Sequence, residues 1–157
     1  MTTRLVIEYA VYGGIIVLGL LVLGLMKRKN KLPNHSELRN RLFAVQSQIR
    51  SFYKEESAEP SGGYDFYKRV TKFIFLLDKL VYDTSMISEK ERDVQIGNIS
   101  AILEQARNEI SAYKFNQKPK EDLSSILNAA EIVDKAIAEA DEILIRDKEY
   151  KERKGKA

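Results

Sequence analysis

Cysteine is missing from the 157 residues, and histidine occurs once, at position 35. Without cysteine there is no thiol nucleophile, no disulfide and no thiolate zinc site, and one imidazole cannot build a multi-histidine metal centre. His35 stands beside Pro33 with no Glu-x-x-His pattern around it, and reads as a solvated linker residue. The only adjacent glycines beyond the first quarter of the chain, Gly62 and Gly63, follow no strand, so no phosphate-cradling loop is present. No segment alternates polar and apolar residues as a strand would. The carboxylates are plentiful but interspersed with Lys and Arg, the pattern of a solvated helix face. These absences point away from catalysis, and the expectation is a protein that is not an enzyme and binds no cofactor or metal.

What is present first is hydrocarbon. Tyr9 to Met26 is eighteen residues without a charge, and only Glu8 interrupts the apolar run from Leu5. At about 1.5 Å per residue this run covers a hydrocarbon layer roughly 30 Å thick. A core helix this apolar on every side needs a larger protein around it than the rest of the chain supplies. A cleavable signal peptide has its cations before the apolar stretch, whereas here Arg4 alone precedes it and Lys27, Arg28, Lys29 and Lys31 follow. The sequence therefore predicts an uncleaved transmembrane anchor over residues 1–26 and a basic juxtamembrane linker over 27–35. That cationic group places the bulk of the chain in the cytoplasm and the amino terminus outside, and suits anionic lipid headgroups. Zero cysteine agrees with this side of the membrane. Two glycosylation sequons, at Asn34 and Asn98, matter only for the opposite orientation. Glu8 is either an intramembrane carboxylate or, beside Arg4, an interfacial one.

Helical spacing governs everything after Pro33. Leu38, Leu42, Val45, Ile49 and Phe52 recur in alternating steps of four and three, and Phe66, Val70, Phe73, Leu77 and Leu80 repeat the pattern. The first of these helices has Ser36 as its expected N-cap, and the segment around Pro60, Gly62 and Gly63 reads as a loop. A break is expected from Thr84 to Ile87, followed by a capping box of Ser88 with Glu91. Ile96, Ile99, Leu103, Ala106, Ile110 and Tyr113 then form a third inward stripe that ends near Pro119. A last helix from about Lys120 to Tyr150 should bury Leu123, Leu127, Ala130, Val133, Ile137, Ala140 and Leu144. The expectation is an all-α protein, with one transmembrane helix followed by a cytosolic antiparallel bundle of about four helices over 36–150 and a basic tail over 151–157.

The net charge of +3 is not spread as a nucleic-acid stripe; it gathers at the membrane exit and in the tail from Arg146 to Lys156. Tail cations suit the negative end of a helix, and contact with a membrane or nucleic acid is the other reading. Residues that miss the inward stripes carry the functional expectation. Phe75 and Tyr82 point away from the Phe66 to Leu80 line and are flanked by Lys68, Lys72 and Lys79, so Lys68, Phe75, Lys79 and Tyr82 form a candidate partner surface. Alternatively the last helix covers them. Ile132 and Ile143, joined by Ala129 and Ala136, form a second such misfit. The function expected is a single-pass membrane scaffold or adaptor that recruits a membrane or cytosolic protein partner and is capable of forming oligomers. The alternative is an accessory subunit of a larger membrane complex, for secretion, division or transport, whose span packs with other spans.

Overall fold

The computed structural model describes residues 2–29, 31–114 and 117–156, with the side chains of Thr2 and residues 27–29 outside that description. The chain divides into two compact units, Met1–Leu32 and Pro33–Ala157. Its helices are α1 (Thr2–Lys29), α2 (His35–Ala58), α3 (Gly63–Glu91), α4 (Val94–Lys114) and α5 (Ser124–Gly155), and no strand occurs among the described residues.

α1 forms the first unit. Its stretch Thr3–Met26 is 24 residues with mean hydropathy 2.2, and none of it is buried within the chain. At about 36 Å it is long and apolar enough to cross a membrane. Arg4 approaches Glu8 one turn later, Nε to Oε1 3.8 Å, so the carboxylate has a cation on its own helix. Lys27, Arg28 and Lys29 belong to the last turn of α1, but their side chains lie outside the described residues; Lys31 beyond them is exposed.

The second unit is a four-helix bundle. α3 packs on α4, α4 on α5 and α5 on α2, while α2 and α3 meet along a thinner seam. Paired residues show each packed pair running antiparallel: Arg39 with Asp141 and Arg50 with Asp134 for α2 and α5, and Asp78 with Arg107 and Ser85 with Ser100 for α3 and α4. Short connections favour this arrangement, since each helix returns along its predecessor. The stripes of α2, α3 and α4 are buried as their spacing requires, from Leu38 to Phe52, Phe66 to Ile87 and Ile96 to Tyr113. At the end of the bundle holding the α2–α3 turn the core is aromatic. Phe52 lies 5.5 Å from Phe66 and 5.4 Å from Phe73, and Phe66 meets Tyr113 edge-on at 5.3 Å. Burial pushes the Tyr113 hydroxyl up to about 12, and it donates to the Asp122 carbonyl at 2.5 Å.

Several boundaries differ from the sequence reading. Asn34, not Ser36, caps α2: its Oδ1 accepts from the Glu37 N–H at 2.8 Å. Pro33 and Leu38, the positions a hydrophobic staple joins around this cap, are both buried. The expected break from Thr84 to Ile87 is absent. The Thr84 hydroxyl donates to the Leu80 carbonyl at 2.8 Å within an unbroken helix, and Ile87 extends the buried stripe. α3 ends instead at Arg92, which adopts a left-handed backbone with φ 52°, and the Asp93 N–H then donates to the Ser88 carbonyl at 3.0 Å. Asp93 starts α4 by accepting from the Gln95 N–H at 3.0 Å, while Ser88 Oγ donates to the Asp93 carbonyl at 2.8 Å. Ser88 therefore closes the turn rather than opening a capping box. Gly97 permits this tight return, because a Cβ there would stand 3.0 Å from Ser88 Oγ.

α5 begins at Ser124 rather than Lys120, continues to Gly155, and is rotated relative to the expected phase. Ala130, Val133 and Ala140 face inward as expected. The rest of the buried line is Ile126, Ala129, Ala136 and Ile143, whereas Leu123, Leu127, Ile137 and Leu144 are only half-buried. The cause is packing. α5 contacts both α2 and α4, and alanine at the points of closest approach lets two neighbours come near, so small residues take the centre and larger ones the flanks.

Candidate functional site

The end of the bundle opposite the aromatic cluster is ionic. There the first turn of α2, the last turn of α3 and the later part of α5 converge on His35, whose side chain is 18% exposed. Nδ1 lies 2.5 Å from Asp147 Oδ2 and Nε2 lies 2.7 Å from Glu91 Oε2. His35 is thus a clasp among three helices and not a solvated linker residue. Arg146 extends the network, with Nη2 donating to Asp93 Oδ2 at 2.7 Å and lying 3.5 Å from Asp147 Oδ1. The bond to Arg146, opposed by partial burial, holds the Asp93 carboxyl below its usual range.

The geometry also states the protonation of His35. A neutral imidazole has one N–H and one lone pair, so one of the two carboxylates would face a lone pair; the imidazolium donates to both. Burial, the largest single influence, lowers the His35 pKa, but the bonds to Asp147 and Glu91 and their charges together raise it above 6.5. Because both ring nitrogens are engaged on opposite edges of the ring, neither is open to act as a base. Among the described residues no group of three or more His, Asp or Glu side chains is arranged to hold a metal ion. The arrangement fastens helices together.

A raised folded-state pKa means that stability from this clasp is fully present below the unfolded value near 6.5 and is lost as pH rises through the folded value. His35→Ala should therefore destabilise the bundle by about 2 kcal/mol near pH 6, the scale of charge-assisted hydrogen bonds. The difference between His35→Ala and the parent should shrink as the medium becomes alkaline. Denaturant melts of both proteins across that range check this, and a difference that grows with pH contradicts the imidazolium assignment.

The other candidate feature is the outward face of α3. Phe75 is 70% exposed and Tyr82 63% exposed, and Lys68, Lys72 and Lys79 are exposed with them. α5 does not cover them. At 100° per residue, Tyr64, Lys68, Phe75, Lys79 and Tyr82 fall within an arc of about 60°, so they form one ridge. The face has a short run of cations beside aromatic rings and no partner within the chain among the described residues. The second misfit behaves otherwise: Ala129, Ala136 and Ile143 are core residues and Ile132 is half-buried. That face offers no docking surface. His35, Glu91 and Asp147 escaped the sequence reading because they stand 56 and 112 positions apart; the one available signal was that antiparallel packing returns the end of α5 to the start of α2.

Comparisons with protein-family models, with curated proteins and with solved structures find no match to this chain.

Proposed function

We propose that the protein is a non-enzymatic, single-pass membrane scaffold whose bundle faces the cytoplasm and captures a protein partner on the outward ridge of α3. The observation that carries this reading is the exposure of Phe75 and Tyr82 on a bundle whose core is complete without them. Single exposed hydrophobes are ordinary, but two aromatic rings two turns apart, flanked by lysines, have the composition of binding hot spots. α1 supports the anchoring, being long and apolar enough to cross a bilayer. The excess of Lys27, Arg28, Lys29 and Lys31 over Arg4 supports the orientation. The ionic clasp at His35 supplies a firm platform rather than chemistry.

One experiment tests capture and orientation together. A photoreactive residue placed at position 75 in native membranes should give one dominant adduct with a protein accessible from the cytoplasm, and the same residue at position 43 should not. An adduct with a protein confined to the exterior overturns the orientation. Equal, diffuse labelling from both positions overturns the docking surface.

A further inference from the structure

The carboxyl-terminal part of α5 outruns the bundle. Asp147 is the last α5 residue paired with α2, through His35 in the first helical turn, and α5 continues through Lys148–Gly155 with every one of these residues exposed. Those eight residues extend about 12 Å. From Lys148 onward the overhang carries Lys148, Lys151, Arg153, Lys154 and Lys156 against Glu149 and Glu152, and none of the seven forms an ion pair among the described residues. Tyr150 stands among them, exposed, with Lys154 Nζ 5.3 Å from its ring centre. Cations in a last turn offset the negative end of a helix, but that accounts for Arg153 and Lys154 and not for Lys148, a full turn earlier.

The overhang projects from the end of the bundle at which α2 begins, and there the chain arriving from α1 enters, through a connection that includes the exposed Lys31. The connections at the other end have no cationic excess, with Glu59, Glu121 and Asp122 against Lys118 and Lys120. At the overhang's own end the α3–α4 turn carries Glu89, Glu91 and Asp93 against Lys90 and Arg92, so the cationic excess belongs to the overhang itself.

We infer that the α5 overhang, Lys148 to Lys156, docks on the anionic lipid headgroups of the membrane that α1 enters, giving the bundle a second, electrostatic foothold. The inference rests on the membrane-anchored reading above. Lipid suits the surface better than a folded partner does, because the cations surround the helix end and the cavity that Lys148 and Lys151 border has Leu144 as its one apolar lining side chain, and clustered charge with an interfacial tyrosine is what a headgroup layer attracts. Each cation near an anionic leaflet favours the docked state about fivefold.

The absence of cysteine from the 157 residues allows a single thiol to report position in the intact chain. Gly155→Cys, Gly62→Cys at the far end of the bundle, and Leu18→Cys within α1 are each labelled with a fluorophore, and each protein is reconstituted into nanodiscs. The lipids carry a quencher on the headgroup, or on the acyl chain for Leu18→Cys. In phosphatidylglycerol-containing discs the position 155 label should be strongly quenched and the position 62 label not. Pure phosphatidylcholine, high salt or the triple change K151Q/R153Q/K154Q should release position 155, the last reducing the docked-to-free ratio by about a hundredfold. Quenching at 155 that ignores lipid charge, salt and the substitutions overturns the inference, since the tether alone would explain it. So does a position 155 label that stays unquenched, including one that responds only to added RNA. Failure of the Leu18→Cys label to be quenched overturns the anchored reading itself, and with it the inference.

Discussion

Phe52→Ala should be the most damaging single substitution in the bundle, lowering stability by about 3 to 5 kcal/mol. The ring is fully buried between Phe66 and Phe73, and the Arg69 guanidinium covers it with its carbon 4.3 Å from the ring centre. Removing it takes away apolar burial and leaves a cavity that its three neighbours, all on α3, cannot fill by small shifts, because the packed rings hold one another. It also strips the contact from the seam between α2 and α3, where those two helices touch least. Against a total of roughly 5 to 15 kcal/mol, the loss should lower the thermal midpoint by about 10 to 20 °C. Phe43→Ala is the matched control: it removes the same ring from a position 50% exposed, where only Arg39 stacks on it at 5.3 Å, and should cost under about 1 kcal/mol. Melts of the purified chain in mild detergent, followed by near-ultraviolet circular dichroism, compare them. Equal losses would show that the aromatic cluster does not hold the bundle together.

The double change Phe75→Ser, Tyr82→Ser should do the reverse, leaving the thermal midpoint within a few degrees of the parent while weakening partner capture by a factor of a hundred or more. The first half follows from exposure: both rings lie largely in water, so their removal costs the fold little and relieves an apolar surface. The second half follows from how interfaces concentrate energy. An aromatic anchor that fills a pocket is worth on the order of 2 kcal/mol or more, and two of them on one ridge account for much of a moderate affinity. Lys68→Glu, Lys79→Glu should act differently, slowing association and changing its salt dependence with a smaller effect on the lifetime of the complex. Capture of the protein crosslinked at position 75 supplies the assay. If the double serine variant captures that protein as well as the parent does, the ridge is not the docking surface.

How much of this molecule could be read from its sequence depended on side-chain size. Leu, Ile, Val and Phe at steps of three and four located the inward faces of α2, α3 and α4, since a large apolar residue has one favourable place to go. In α5 the same rule chose Leu127, Ile137 and Leu144 and missed the true centre at Ala129 and Ala136, because alanine marks a close approach between helices rather than a strong apolar preference. Thr84 and Ser85 resembled a break and Ser88 a capping box, but the Thr84 hydroxyl donates to the Leu80 carbonyl of its own helix, Ser85 pairs with Ser100 on α4, and Ser88 Oγ donates to the Asp93 carbonyl. The aromatic ridge was visible because Phe75 and Tyr82 violate a periodicity that their own helix sets. The clasp at His35 was not, because nothing local distinguishes a histidine that meets two distant carboxylates from one in water.

The order in which the helices find their cover has a consequence for how the chain is made. α3, α4 and α5 each lie against a helix next to them in sequence, whereas α2 is sheltered chiefly by α5, through pairs such as His35 and Asp147 that are 112 positions apart. The first helix of the bundle to leave the ribosome is thus the last to be covered, and closing so large a loop costs entropy before its contacts form. At about 5 to 20 residues per second, the stripe from Leu38 to Phe52 waits roughly 5 to 20 seconds for the end of α5. During that interval an apolar helix face stands in water, so α2 is the segment on which a holding chaperone would act, and completion of α5 is the event that ends its exposure.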